Sequence, residues 1–408
     1  MGRAPKALRL HVGLYGRRNA GKSALLNAIA GQPVAIVADA PGTTTDPVEK
    51  PMELQPIGPI VLIDTAGLDD EGEVGALRVA KSRAMIARTD VALIVVGAGA
   101  WGPLEEGLLA TFIDAKVPIV TVMNQSDRAA ADPALVARLE RAGAAVVPTV
   151  ATTGEGVQAL REAIIRAAPE GFVEPPTLLG DLVPTGGVVV LVVPIDLEAP
   201  RGRLIQAQVQ VIRDALDHDT ICVMARENRL ADVLAALREP PALVVTDSQA
   251  FRHVAAVVPP EVPLTSFSIL FARAKGDLAT FAAGAEAIDA LRPGDKVLVC
   301  EACTHHPIGE DIGRIKLPRW LEGHVGGALE VEVRAGRDFP ADLSPYRLVV
   351  HCGACTHSRR EVLARVAHSL AQGVPMTNYG VAIAKTHGIL PRALAPLRGR
   401  EAAPLPKP

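Results

Sequence analysis

Nowhere in the 408 residues do about 18 uncharged apolar residues run together, the length a membrane-spanning helix requires, so no such helix is expected and no membrane partner with it. The N-terminal stretch MGRAPKALRLHVGLYG has neither a long apolar core nor a small-residue cleavage site, which leads to the expectation of a cytoplasmic protein. Charge of one sign is missing too. A formal net charge of -3 leaves no basic field to hold a polyanion, so no nucleic-acid partner is expected. Cysteine is scarce. Five thiols are too few for a disulfide framework in a chain this long. Four of them nevertheless fall in two CxxC pairs, Cys300/Cys303 and Cys352/Cys355, a clustering that in a reducing compartment suggests metal or redox chemistry.

What is present is the composition of an ordered α/β protein: 49% hydrophobic and 21% charged residues. The length exceeds what one hydrophobic core serves, so several domains are expected. From Leu8 to about Pro169, apolar runs of strand length (LRLHVGLYG, PIVLIDTAG, DVALIVVGA, VPIVTVMN, AAVVPTV) alternate with helical patterns such as KSALLNAIAG and EGVQALREAIIRAA. Continuous rather than alternating apolar runs predict strands covered on both faces, hence a mainly parallel sheet. The stretch GFVEPPTLLGDLVPTGG breaks the rhythm and reads as a linker. A second α/β series runs from VVVLVVPID through LIQAQVQVIRDALD, ICVMAR, ADVLAALRE, PALVVTDS and VPLTSFSIL, up to about residue 265. It carries no catalytic motif and reads as a packing or oligomerisation module. A long helix-compatible stretch, RAKGDLATFAAGAEAIDAL, then precedes the strands DKVLVCEACTHH and YRLVVHCGACTHS and the helix RREVLARVAHSLA. The expected architecture is therefore α/β with three domains, each a mainly parallel sheet flanked by helices. The expected spans are 1–170, a linker 171–186, then 187–266 and 267–408. Both CxxC pairs end expected strands, where open α/β sheets place their ligand sites.

After the first strand comes Gly16-Arg17-Arg18-Asn19-Ala20-Gly21-Lys22-Ser23, a GxxxxGK[ST] loop opening a helix. Its backbone from Asn19 to Ala24 would surround the phosphates, Lys22 would reach the β and γ oxygens, and Ser23 would offer its hydroxyl to Mg²⁺. Asp64-Thr65-Ala66-Gly67 closes a strand, so Asp64 can hold the Mg²⁺ shell through water while the Gly67 amide meets the γ-phosphate. Thr44, in the loop segment Gly42–Asp46, would complete the metal shell. Lys22, Thr44, Asp64 and Gly67 are thus the expected catalytic set. Asn124-Gln125-Ser126-Asp127 ends another strand. The Asp127 carboxylate can accept both N1–H and the 2-amino group of guanine, which selects GTP and GDP over adenine nucleotides, so the first domain is expected to have a P-loop GTPase fold.

Two positions depart from the usual GTPase pattern. Gln125 stands where a lysine stem usually covers the base, and Val150-Ala151-Thr152-Thr153-Gly154 keeps the alanine whose amide would face the guanine oxygen but lacks the preceding serine. Leu68 follows the DxxG where Ras-like enzymes place a water-orienting glutamine. Asn19 resembles the P-loop asparagine of TrmE/Era-like GTPases, which helps hold a K⁺ ion in place of an arginine finger. That resemblance implies slow, potassium-stimulated turnover, with Asp69, Asp70, Glu71 or Glu73 as water-orienting candidates.

Cys303-Thr304-His305 and His351-Cys352-Gly353-Ala354-Cys355 bring three thiols and two imidazoles to the ends of strands that can pair. A structural zinc site including Cys300 is the plainer alternative. Its halves, however, lie much further apart than the roughly 15–20 residues of compact zinc motifs, and Cys300 ends the apolar run VLVC as a buried strand residue would. With Cys303, Cys352 and Cys355 as ligands, a cubane iron–sulfur cluster would retain one iron without a thiolate. His305, His306 and His351 are candidates for that position or for the shell around it.

A CxH followed about 46 residues later by HCxxC, behind a TrmE-like GTPase domain, resembles the [FeFe]-hydrogenase maturation GTPase family HydF. The stretches RGRLIQAQVQVIRDALDHD, TSFSILFARAKGDL and EACTHHPIGEDIGRIKLP carry the likeness over nearly the whole chain. The resemblance implies a homodimer built by the middle domain and a [4Fe-4S] cluster on Cys303, Cys352 and Cys355. It also implies a scaffold that receives a diiron precursor from the radical-SAM maturases HydE and HydG and delivers it to apo [FeFe]-hydrogenase. The competing expectation is a TrmE/Era-like GTPase of tRNA or ribosome maturation with a structural zinc tail; the charge balance and the lack of a basic, aromatic stripe in the tail speak against it.

Overall fold

The computed structural model describes residues 9–31, 48–65, 85–169, 172, 177–194, 204–302, 311–336, 338–354 and 356–399. The chain divides into two compact units near residue 175.

The first unit is built on a six-stranded sheet. Its strands are β1 (Leu10–Tyr15), β2 (Val48–Leu54), β3 (Gly58–Asp64), β4 (Val91–Gly97), β5 (Ile119–Asn124) and β6 (Ala145–Thr149), in the spatial order β2-β3-β1-β4-β5-β6. All neighbours are parallel except β2 and β3. The apolar runs of β1 and β5 are buried along their whole length, as strands covered on both faces must be. On one face Leu10, Val12 and Leu14 pack with Leu25, Leu26 and Ile29 of the helix Lys22–Ala30 and with Leu160 and Ile164 of the helix Val157–Ala167. On the other, Tyr15 meets Phe112 edge to face, ring centroids 4.9 Å apart. β2 (VEKPMEL) is absent from the sequence-based reading because its half-buried, charged pattern carries no apolar run; at the sheet's edge Pro51 is tolerated.

The second unit holds two four-stranded sheets, both wholly parallel. One is ordered β10-β9-β7-β8 from β7 (Val188–Val192), β8 (Ile221–Ala225), β9 (Leu243–Thr246) and β10 (Leu264–Ser266). The other is ordered β12-β11-β13-β14 from β11 (Lys296–Glu301), β12 (Glu330–Ala335), β13 (Leu348–His351) and β14 (Met376–Asn378). One continuous apolar core runs through both, from Leu178 to Leu397. Within VPLTSFSIL the strand ends at Ser266, whose hydroxyl accepts from the Ile269 amide and starts the helix Phe267–Lys275. One expectation is corrected here. The long helix expected after that segment is broken at Gly276, and Asp277 caps a separate helix Leu278–Glu286 by accepting from the Thr280 amide.

The two sheets have the same strand order when their strands are counted from the first, and their registers coincide. The row Ala225–Val192–Thr246–Ser266 across one sheet is the row Arg334–Cys300–His351–Asn378 across the other. Sequence repeats with them: VPLTSFSILFARAKG from Val262 and VPMTNYGVAIAKTHG from Val374. Asn378, like Ser266, caps the following helix, Tyr379–Thr386, accepting from the Val381 amide. The two helices meet at equivalent residues, the Gly380 amide donating to Ser268 Oγ at 3.1 Å, and a Cβ on Gly380 would lie 2.7 Å from Ser268 Cβ.

Candidate functional site

The phosphate loop turns out of β1 and into the helix Lys22–Ala30 through Gly21, whose φ of 90° excludes a side chain sterically as well as conformationally. A Cβ there would stand 2.2 Å from Asn124 Nδ2. Lys22 is 7% exposed, and its ammonium donates to the carbonyls of Gly16 (3.0 Å) and Arg17 (2.7 Å), which folds it back over the loop it serves. The Arg17 side chain is held away from the loop by a two-pronged bond to buried Glu105, at 2.9 and 3.0 Å. Ser23 Oγ donates to Asp64 Oδ2 at 2.5 Å, so the two residues expected at the metal shell share one corner. Burial raises the Asp64 carboxyl above its usual range, opposed by that hydrogen bond and by Lys22.

Asn124 is the hub of this end of the sheet. Its Nδ2 donates to the Ala20 carbonyl (2.9 Å), and its Oδ1 accepts from Thr149 Oγ1 (3.2 Å) and from the Ala151 amide (3.1 Å). It therefore ties the phosphate loop to the base loop. The Ala151 amide, expected to face the guanine oxygen, is engaged by Asn124 in this structure. Gln125 spans the same gap, Nε2 donating to the Asn19 carbonyl at 3.4 Å, which gives the residue in the usual lysine position a loop-bracing contact. Asn19 and Asp127 are exposed beside them, and Ala24 lies in the first turn of the helix. Thr44, Gly67, Leu68, Asp69, Asp70, Glu71 and Glu73 lie outside the described residues.

The second site is at the C-terminal ends of β11 and β13. Of the expected cysteine set, Cys303, His305, His306 and Cys355 lie outside the described residues; Cys352 and His351 are described, with Cys300. Cys352 sits where the turn after β13 crosses the end of β11, its amide donating to the Cys300 carbonyl at 2.8 Å. Its Sγ accepts from two backbone amides, Ala302 (3.0 Å) and Ala354 (3.4 Å), the latter set by a positive φ of 54°. Amide donors aimed at a sulfur favour a thiolate, so this residue fits the donor chemistry of an iron–sulfur ligand. Cys300 differs: it is 1% exposed on β11 and burial pushes its thiol up to about 12. His351 is buried with both ring nitrogens engaged, Nδ1 with the Cys352 carbonyl (2.9 Å) and Nε2 with Arg365 (2.9 Å). Burial, and then Arg365, lower its pKa to about 3 and keep it neutral. Its contacts thus put it behind Cys352, steering the turn. Lys275 reinforces that turn from the helix Phe267–Lys275, donating to the carbonyls of Ala354 (3.1 Å) and His357 (3.2 Å). Arg365 and Lys275 escape sequence reading because parallel pairing, not spacing, brings them here.

Comparison with known proteins agrees with this division. A family model of 50S ribosome-binding GTPases matches residues 11–125. The tRNA modification GTPase MnmE of Burkholderia thailandensis is 42% identical over 165 residues, which are 39% of this chain and 35% of that protein. That of Nitrosomonas europaea is 36% identical over 160 residues, again 39% and 35%. The chain thus spans about a third of the length of these relatives. Among solved structures, Era of Aquifex aeolicus bound to GDP·AlF4⁻ matches at 26% identity and a TM-score of 0.36, over 40% of this chain and 57% of that one. The G domain of the T. maritima FeoB iron transporter matches at 27% and 0.31, over 39% and 98%. The first unit is a P-loop GTPase domain. Residues 178–276 match the hydrogen maturase F dimerization domain and residues 279–396 its tetramerization domain. The chain belongs to the hydrogen maturase F family.

Proposed function

We propose that this chain is a GTP-hydrolysing scaffold for hydrogenase maturation, holding a [4Fe-4S] cluster through Cys303, Cys352 and Cys355. It would accept a diiron precursor from the radical-SAM maturases HydE and HydG and pass it to apo [FeFe]-hydrogenase. The observation that carries this reading is the Cys352 sulfur, cradled by two amides at the C-terminal end of a parallel strand pair, inside the segment that matches the tetramerization domain. A cluster held by three thiolates supplies an iron with an exchangeable position, which suits a carrier. The chain's own residues divide the remaining tasks. Cys352 orients its sulfur by the Ala302 and Ala354 amides, His351 and Lys275 hold the turn, and Cys300 packs beneath it. In the first unit, Lys22 would meet the phosphates, Ser23 and Thr44 would hold Mg²⁺ with Asp64 acting through water, and Asp127 would read guanine. Asn19 would hold K⁺ and make turnover slow and potassium-stimulated. The dimerization and tetramerization matches support a homo-oligomer, in which GTP state would switch partner binding.

The reading is tested by incubating the anaerobically purified chain with both maturases and their substrates, re-isolating it, and adding it to apo-hydrogenase. Hydrogen evolution is expected from the wild type and not from Cys352→Ser; activation by that variant equal to the wild type would overturn the reading.

A further inference from the structure

The repeat within the second unit supplies an internal control for the cysteine end. Position by position, Val192 of the first sheet corresponds to Cys300 of the second, Thr246 to His351 and Ser266 to Asn378. The next residue opens the following helix in both halves: Phe267 in one and Tyr379 in the other. Both rings are buried, at 3% and 9% exposure. Phe267 shows that a bare ring satisfies the packing of this position.

Among the described residues, the hydroxyl that distinguishes Tyr379 has no hydrogen-bond partner. Burying a hydroxyl without one is costly, and the other half of the repeat shows how to avoid it. The hydroxyl is also placed where the two halves differ chemically. Tyr379 follows Asn378, which pairs with His351, the residue before Cys352. A Cβ on Gly313 would lie 2.1 Å from the Tyr379 oxygen and 3.0 Å from Glu301 Oε1, so the phenol sits beside the carboxylate of Glu301, the residue before Ala302, whose amide binds the Cys352 sulfur. A phenol keeps its proton at neutral pH and burial strengthens that preference, so the group acts as a donor.

We infer that Tyr379 is a positioning residue of the cysteine site, its hydroxyl donating a hydrogen bond to the sulfur-rich group that Cys352 helps to hold. The inference rests on the iron–sulfur reading of that site. A hydrogen bond to cluster sulfur stabilises the reduced, more negative state, so it raises the reduction potential and retards loss of the cluster.

The test is Tyr379→Phe in the full chain, the residue the other half of the repeat already uses. Three quantities are measured: thermal midpoint of the metal-free protein, reduction potential of the reconstituted cluster, and iron release to a chelator. The expected result is a metal-free midpoint unchanged or higher, a potential shifted negative, and release faster by roughly five-fold, the worth of one hydrogen bond. A lowered metal-free midpoint would assign the hydroxyl to a protein contact such as Glu301 and overturn the inference. So would an unchanged potential and release rate in a variant that carries the same cluster as the wild type. Wild type that takes up neither iron nor sulfide would overturn the cluster reading itself, and this inference with it.

Discussion

Arg365 donates through Nη1 to His351 Nε2 at 2.9 Å, joining the helix Arg359–Ala371 to the last residue of β13. Its other amino group donates to the Gly336 carbonyl at 2.7 Å, and its guanidinium lies 5.0 Å from the centre of the Phe339 ring. One side chain thus fixes the tautomer of His351 and the end of β12. Arg365→Met would leave the buried His351 Nε2 unpaired, at about 1–3 kcal/mol, and remove a bond to the half-buried Gly336 carbonyl. We expect the urea midpoint of the metal-free chain to fall accordingly; a change under about 0.5 kcal/mol would show that neither bond matters to folding.

Asn124 does for the nucleotide end what Arg365 does for the cysteine end. Asn124→Ala removes the bonds to Ala20, Thr149 and Ala151 together, freeing the phosphate loop from the base loop. Affinity for a fluorescent GDP analogue is expected to drop more than about ten-fold, since several hydrogen bonds of about 1 kcal/mol each are lost. Wild-type affinity would mean the loops are positioned without it.

Cys300 and Cys352 are neighbours with opposite environments, one in the apolar core and one cradled by amides. Val192 occupies the position equivalent to Cys300 in the other sheet, so Cys300→Val is expected to leave iron content and thermal midpoint near wild type, while Cys352→Ser loses iron. Iron loss from Cys300→Val would make Cys300 a ligand.

Potassium separates two accounts of turnover. If Asn19 helps hold a monovalent cation at the phosphates, GTP hydrolysis is several-fold faster in K⁺ than in Na⁺ at equal ionic strength, and Asn19→Ala abolishes the difference. Equal rates in the two salts would remove the cation from the mechanism.

Parallel strands were the most legible part of the fold, because a strand covered on both faces must be a continuous apolar run; β1, β4, β5, β11 and β13 all announce themselves this way. β2 did not, being a charged edge strand that draws its order from pairing with β3. The break at Gly276 was hidden because alanine-rich sequence flanks it on both sides. The phosphate loop was legible from its motif alone, whereas the bracing role of Asn124 came from contacts distant in sequence, that with Ala20 being 104 residues away. Tyr379, Arg365 and Lys275 belong to the same category. The repeated VPxT segments were the one sequence signal that could have exposed Tyr379, since alignment sets it against Phe267.

The most direct test of the cluster assignment to Cys303, Cys352 and Cys355 is metal and sulfide analysis of the anaerobically purified full chain, read beside the electron paramagnetic resonance spectrum after reduction. The expected result is close to four iron and four sulfide per chain with the signal of a reduced [4Fe-4S] cluster, lost in Cys352→Ser. One tightly bound zinc, with neither iron nor sulfide, would contradict it.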